Sequence, residues 1–193
     1  MIRIATEADV PAILSVYAPY ILTSTATFEY DVPSQADFLR RFRTISAQFP
    51  WLVWEEAGEI LGYAYASAPY ERAAFAWCAE PSVYLTPQAR GRGIGKRLYA
   101  ALEKLLLAQG YQVLYALITA ENEASLRFHE KQGYVQSVHF AHCGFKFGRW
   151  LGLVWMEKRL KSVEIPSGTP TPWPCIMHDV QRNFDILADL SLS

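Results

Sequence analysis

Apolar residues recur at helical spacing from Ala12 through Ile13, Val16 and Tyr17 to Tyr20, which predicts a first helix ending near Leu22. Thr6 stands ahead of it as a capping residue and Asp9 completes a capping box. A second helical face, Phe38, Leu39, Phe42 and Ile45, opens at Pro33 or Ser34 and stops at Phe49-Pro50. Between the two helices, Thr23 to Glu29 reads as a polar, β-branched loop with Phe28 at its end. Elsewhere the period changes to that of strands. Ile2–Ile4 is a short strand, and Trp51–Glu55 and Ile60–Ser67 make a hairpin across Ala57-Gly58-Glu59. Ala68 to Ala74 is a loop carrying Tyr70 and Arg72, and Phe75–Leu85 is a long strand interrupted by Pro81. Proline cannot donate to a sheet ladder, so this strand is expected to bulge or splay at residue 81.

In the second half, Arg97 to about Gln109 is helical, Gln112–Ile118 is a buried strand, and Ala124–Lys131 is a helix closed by Gly133. Tyr134 to about His142 and Leu151–Lys158 read as closing strands joined through Gly144–Trp150. Strand pairs early and a strand–helix–strand unit late predict an α/β (α+β) fold. Its mixed central sheet has about seven strands, splayed at the centre and flanked by about four helices. From Lys161 the composition shifts, with prolines at 166, 170, 172 and 174, so Ser162–Pro174 reads as an extended linker. Apolar spacing at Ile176, Val180, Phe184, Leu187 and Leu190 predicts a short terminal helix over 176–190, suited to packing rather than chemistry. The chain thus divides into a domain at 1–160 and an extension at 161–193.

Composition narrows the function classes. At 193 residues and 51% hydrophobic, the chain can bury a sizeable core in one domain. A net charge of −1 gives no bulk attraction to nucleic acid. Cys78, Cys143 and Cys175 have no metal-ligand or CxxC spacing, so reduced thiols, no metal and a cytoplasmic setting are expected. No apolar run reaches about 18 residues, and Asp9 and Pro11 interrupt the first residues, so neither a membrane span nor a signal peptide is expected.

The chemistry centres on Val83-Tyr84-Leu85, which turns at Thr86-Pro87 into Arg90-Gly91-Arg92-Gly93-Ile94-Gly95-Lys96 and then a helix. Glycines let backbone approach a ligand, and the helix start presents unpaired N–H groups and partial positive charge. A strand, a glycine loop and a helix start make an anion site suited to phosphate or pyrophosphate. A magnesium-binding P-loop is excluded because Arg97, not Ser or Thr, follows Lys96. The dinucleotide fingerprint is excluded by the spacing of Gly91, Gly93 and Gly95. Arg90-Gly91-Arg92-Gly93-Ile94-Gly95 instead resembles the acetyl-CoA pyrophosphate loop of the GNAT acyltransferase superfamily.

The splayed strand at Val83–Leu85 is suited to pairing with an extended amide chain such as pantetheine. Asn122 and Ser125, at the start of the later helix, can reach the same cofactor or simply cap the helix. Transfer to an amine requires removal of an ammonium proton. Glu80, beside Pro81 and near apolar Trp77 and Val83, is one base candidate, and the alternative is a solvated strand-edge residue. His129, one helical turn beyond Ser125, is the other, against a packed helical histidine. Tyr84 has an acidic hydroxyl for a leaving thiolate, or is core. Gly144–Trp150 is cationic and aromatic, suited either to closing over a small anion or to a plain hairpin tip.

Thr25-Ala26-Thr27-Phe28-Glu29, Trp77-Cys78-Ala79-Glu80, Ser82–Leu85, the glycine loop, Glu121–Ser125 with His129-Glu130, and Gly144–Trp150 occur in this order. Together, over about residues 2–160, they resemble the phosphinothricin N-acetyltransferase group of the GNAT superfamily. The resemblance implies a GNAT fold, acetyl-CoA as donor, and a small amino acid such as phosphinothricin, methionine sulfoximine or methionine sulfone as acceptor. It maps the family's catalytic residues to Glu80 and His129, and its substrate pocket to Phe28, Arg72, Phe75 and Lys146. It also implies a homodimer with pockets near the subunit interface. Cys78 stands where Thr is usual, Pro81 follows the catalytic Glu, Gly152 replaces an Asp, and the tail from 161 has no counterpart. Two rival functions are a non-catalytic acyl-CoA-binding sensor and an acetyltransferase for protein termini or lysines.

Overall fold

The computed structural model describes residues 1–162 and 164–182. A seven-stranded sheet runs through it in the order β1-β2-β3-β4-β5-β7-β6. The strands are β1 (Ile2–Ile4), β2 (Trp51–Glu56), β3 (Glu59–Ser67), β4 (Cys78–Leu85), β5 (Val113–Thr119), β6 (Val135–Lys146) and β7 (Arg149–Arg159). All neighbours are antiparallel except β4 and β5. The helices are α1 (Val10–Thr23), α2 (Gln35–Ser46), α3 (Ile94–Gln109), α4 (Glu123–Lys131) and α5 (Trp173–Arg182). α1 and α2 cover one face of β2 and β3 through Ile13, Tyr17, Phe38, Phe42, Trp51 and Tyr63. α3 covers the other face through Leu98, Leu102 and Leu105, against Ala64, Ala79, Leu114 and Ala116.

Local chemistry accounts for most element ends. The Thr6–Asp9 capping box is present, with Thr6 N–H donating to Asp9 Oδ2 at 2.7 Å. It caps a short 3-10 turn, Glu7–Asp9, which leads directly into α1. Ser34 caps α2 by accepting from Asp37 N–H.

Several boundaries differ from those the pattern predicts. β4 begins at Cys78, because Ala73–Phe75 forms a 3-10 turn. α3 begins at Ile94, so Gly95 and Lys96 lie in its first turn. A Cβ on Gly95 would make only ordinary contacts, with Leu85 at 3.4 Å and Phe128 at 3.6 Å, so packing alone does not require glycine there. β6 and β7 extend to a two-residue turn at Phe147-Gly148, both with positive φ (51° and 74°), so the Gly144–Trp150 segment is a hairpin tip. Extra residues are absorbed as an irregularity between Phe140 and Gly144. α5 starts at Trp173 with Pro174 in its first turn, where the missing N–H costs nothing. The predicted helix beyond residue 182 lies outside the described residues.

The extension is bonded to the domain. Glu164 N–H donates to Gln112 Oε1 at 3.0 Å. Trp77 Nε1–H donates to Gly168 O at 2.8 Å. Thr171 N–H donates to Gln109 O at 2.7 Å and Trp173 N–H to Gln48 O at 3.1 Å. Trp173 is buried in the same core cluster as Phe49, Leu105 and Tyr111.

Candidate active site

β4 and β5 pair at Cys78↔Val113 and Ala79↔Leu114 and then part. The hydrogen-bond parity of β4 explains why they part there. Thr86 N–H donates to Leu61 O, so alternation turns the backbone groups of Tyr84, Ser82 and Glu80 toward β3. Pro81, Val83 and Leu85 therefore present theirs to the gap. The missing N–H of Pro81 falls on the gap side, and the β3–β4 register runs through it without a bulge. Of these three residues, Pro81 O accepts from Tyr99 Oη–H at 2.9 Å. Leu85 is taken at both groups by Tyr20, whose hydroxyl donates to Leu85 O at 2.6 Å and accepts from Leu85 N at 3.1 Å. Among the described residues nothing pairs with the N–H and C=O of Val83, which face the gap.

A cavity of about 810 Å³ fills the gap. Its wall includes Val83, Tyr84, Leu85, Arg90, Gly91, Gly93, Ile94, Gly95, Lys96, Asn122 and Ser125, together with Glu80, Tyr99 and His129. Gly91 and Gly93 have φ of 73° and 76°, and a Cβ built on either meets nothing within 4 Å. That is an open cradle of backbone at the start of α3, suited to a phosphate or pyrophosphate. Together with the open amide pair at Val83, it fits a phosphorylated, amide-bearing arm such as that of acetyl-CoA. Arg92 is not in this wall. Both its contacts go to the carboxylate of Glu56 at 2.8 Å. Asn122 caps α4, its Oδ1 accepting from Ser125 N–H at 3.2 Å, and still lines the cavity.

The two carried-over catalytic residues sit on opposite faces of the sheet. Glu80, Ser82 and Tyr84 alternate onto the α1/α2 side, opposite Ser67, Tyr65 and Tyr63. Tyr84 packs edge-on against Tyr17 and Tyr20 and stacks on Tyr63, as a core ring does. Burial pushes the Glu80 carboxyl up to about 6. His129 lies on the α3/α4 side, 5% exposed, among Tyr99, Phe128 and Tyr134. Its Nε2 meets Tyr99 Oη at 2.8 Å and its Nδ1 meets Ser125 O at 2.8 Å. Burial lowers its pKa to about 4, against the opposing effect of the hydrogen bond it donates to Ser125 O. At neutral pH the pair is therefore a carboxylate of raised basicity and a neutral imidazole whose Nδ1–H donates to Ser125 O, with Pro81 O and His129 Nε2 both within reach of the one Tyr99 hydroxyl proton.

Phe28, Arg72, Phe75 and Lys146 are not brought to the cavity wall. Lys146 is 2% exposed, and its Nζ donates to Ser24 O and Thr27 O, both at 2.9 Å. Phe28 packs against Gly144, where a Cβ would come within 2.5 Å of its ring. Thr119 Oγ1–H donates to Thr25 O, and Tyr30 Oη–H to Phe145 O. These contacts fix loop 24–30, which carries Thr25 and Ala26 into the cavity wall. Phe75 packs on Tyr70 at 4.3 Å, and Arg72 is exposed with no acidic partner among the described residues.

Gly152 also has a local reason: a Cβ there would meet Ala120 at 2.9 Å and His139 Nε2 at 3.0 Å, so Asp does not fit. Tyr20 and Tyr99 are the site residues that sequence reasoning missed. Tyr99 had a signal, since it follows Gly95 by four residues and shares its helix face. Tyr20 had none, because α1 and β4 meet only in the fold.

Residues 2–155 match the family described as the acetyltransferase (GNAT) domain. A phosphinothricin N-acetyltransferase of Alcaligenes faecalis is 36% identical over 163 residues, covering 83% of each chain. An L-methionine sulfoximine/L-methionine sulfone acetyltransferase of Pseudomonas aeruginosa is 38% identical over 163 residues, covering 82% of this chain and 94% of its own. Among solved structures, a GNAT superfamily phosphinothricin acetyltransferase of Sinorhizobium meliloti in complex with AcCoA superposes with a TM-score of 0.83 at 35% identity. That match covers 88% of this chain and 94% of the other. With the parted strands, the glycine cradle and this match over most of its length, the chain belongs to the GNAT acetyltransferase family.

Proposed function

We propose that this protein transfers the acetyl group of acetyl-CoA to the α-amine of a small amino acid or analogue, of the phosphinothricin or methionine sulfone type. The observation that carries this reading is the gap between β4 and β5. Its open pair is at Val83, its anion cradle is at one end, and a basic carboxylate, Glu80, lies beside it. The names of the relatives support the acceptor class. Bound acetyl-CoA supplies an activated thioester. The chain holds its pyrophosphate with Arg90, Lys96 and the N–H groups from Gly91 to Gly95, and its amide arm with Val83. Asn122 and Ser125 line the far wall.

Glu80 takes the proton from the incoming ammonium. His129, on the other face with its nitrogens against Tyr99 and Ser125, is the weaker base of the two because burial lowers its basicity while it raises that of Glu80. A free amino acid brings a carboxylate, and the resemblance assigns it to Arg72, which is exposed, has no acidic partner among the described residues, and carries a fork that fits a carboxylate in two hydrogen bonds. Lys146 serves instead to hold loop 24–30. The exposed rings of Phe140, Phe145, Phe147 and Trp150 on the β6–β7 hairpin suit pairing of two copies. The sparse, unpaired cysteines suit a cytoplasmic enzyme.

The direct test is thiol release from acetyl-CoA against a panel containing methionine sulfone, its C-terminal amide and an alanyl peptide. Methionine sulfone is expected to react at least about tenfold faster than its amide, since the amide leaves a cation unpaired. Activity on the peptide alone would overturn the acceptor class. The cradle has its own test. Gly93→Val forces a β-branched residue into positive φ and fills the space facing the ligand. Acetyl-CoA affinity is expected to fall by at least about tenfold, roughly 1.4 kcal/mol. Calorimetric titration with unchanged affinity would remove the loop from the site.

A further inference from the structure

We propose that Tyr20 is a positioning residue for the cofactor, closing the strand edge at Leu85 and aiming Arg90 at the pyrophosphate. The proposal rests on the acetyl-CoA reading above and concerns a residue of α1, outside the glycine loop and the parted strands. One hydroxyl does three things here. It donates to Leu85 O at 2.6 Å, accepts from Leu85 N at 3.1 Å, and accepts from Arg90 Nη2 at 3.2 Å. A phenol has one proton to give and two lone pairs to fill, so this arrangement saturates it. The Arg90 guanidinium also lies 5.4 Å from the Tyr20 ring centroid, within cation–π range. The Tyr20 ring is in turn braced edge-on by Tyr84 at 5.0 Å.

Two consequences follow for ligand geometry. An extended arm pairing with β4 would otherwise find two equivalent positions, Val83 and Leu85, two residues apart on the same edge. With Leu85 filled, the register is fixed at Val83, and with it the reach from the cradle to Glu80. Arg90 is exposed on a loop and has no acidic partner among the described residues, unlike Arg92 on Glu56. Tyr20 limits the rotamers of that long side chain without neutralising its charge, so less freedom is lost when it meets a phosphate.

The test uses the full-length protein with Y20F, R90A and the double variant, titrated calorimetrically with acetyl-CoA. S-acetylpantetheine, which has the amide arm but no pyrophosphate, serves as a second acetyl donor in steady-state kinetics. Y20F is expected to weaken acetyl-CoA binding about tenfold, the scale of one hydrogen bond to a charged group. The double variant is expected to bind no more weakly than R90A alone, because Tyr20 acts through Arg90. The KM for S-acetylpantetheine is expected to stay within about twofold in Y20F, against that tenfold loss for acetyl-CoA, because the freed Leu85 only offers the arm a second equivalent pairing. The kcat with this donor is expected to fall, as the slipped arm misplaces the thioester. Losses that simply add in the double variant would overturn the proposal, as would an equal loss on both donors or no loss on either. If the wild-type protein itself fails to bind acetyl-CoA, the fault lies with the functional reading and not with Tyr20.

Discussion

Glu80→Gln is expected to lower kcat/KM for an amino-acid acceptor by about 10²–10⁴-fold at neutral pH, while making the folded protein more stable. The two effects have one cause. Burial raises the Glu80 carboxyl from 4.5 to about 6, and no cation or donor offsets it among the described residues. The folded state therefore holds this proton more tightly than the unfolded chain does. The cost of ionising Glu80 in the fold is absent below pH about 4.5, grows between there and about 6, and is fully present above. A rise of about 1.5 pKa units corresponds to about 2 kcal/mol. Gln has the same shape and no charge, so at pH 7 the variant should unfold about 2 kcal/mol harder, with the difference vanishing in acid. In a chain of this size that is roughly 4–8 °C in Tm. The wild-type kcat/KM should fall on the acid side of about pH 6, as Glu80 takes up its proton. Part of the loss in Glu80→Gln should recover at high pH, where free amine replaces ammonium. An enzyme that keeps its rate in Glu80→Gln has another base, whereas one that loses rate and stability together has lost a structural contact.

Much of this site was readable before any coordinates because its determinants are local. Glycines at 91, 93 and 95 after an apolar strand specify an anion cradle through backbone geometry alone, and the φ values at Gly91 and Gly93 are those only glycine adopts at ease. Pro81 announces a break in pairing wherever the strand lies. The parity that puts its missing N–H on the gap side is a property of the β3–β4 register, which sequence leaves free. Glu80 and His129 were both legible as titratable groups near the cofactor. Their separation to opposite faces was not, because Glu80 follows the alternation of a strand and His129 the packing of α4 on α3.

Lys146 shows the opposite failure. A lysine between glycines and aromatics looks like an anion ligand. Two backbone carbonyls more than a hundred residues away claim it instead. Arg92 is diverted in the same way by Glu56. Contacts of this range are tertiary, and no spacing rule reaches them.

Trp173→Ala is expected to cost about 3–5 kcal/mol of stability, the range for truncating a buried Trp, even though composition places Trp173 in a linker. The ring is 4% exposed and belongs to the main core cluster. The segment that delivers it is bonded to Gln112, Trp77, Gln109 and Gln48 in turn. Gln109 is the hub, its Nε2 donating to Gln48 O at 2.7 Å and to Thr171 O at 2.8 Å. These anchors meet at the closed end of the parted strands, where Gln112 and Val113 N–H both donate to Trp77 O. Three residues beyond Trp77 lies Glu80. A cavity at residue 173 should thus loosen the end of the sheet from which the gap opens, and the stability loss should carry some activity with it. Urea unfolding of the variant measures the first effect, and kcat/KM at saturating acetyl-CoA measures the second. Deletion of residues 161–193 should reproduce both losses if the extension acts through this ring. A truncated protein that is as stable and active as the full chain would instead show that the domain closes its own core and that Trp173 only covers it.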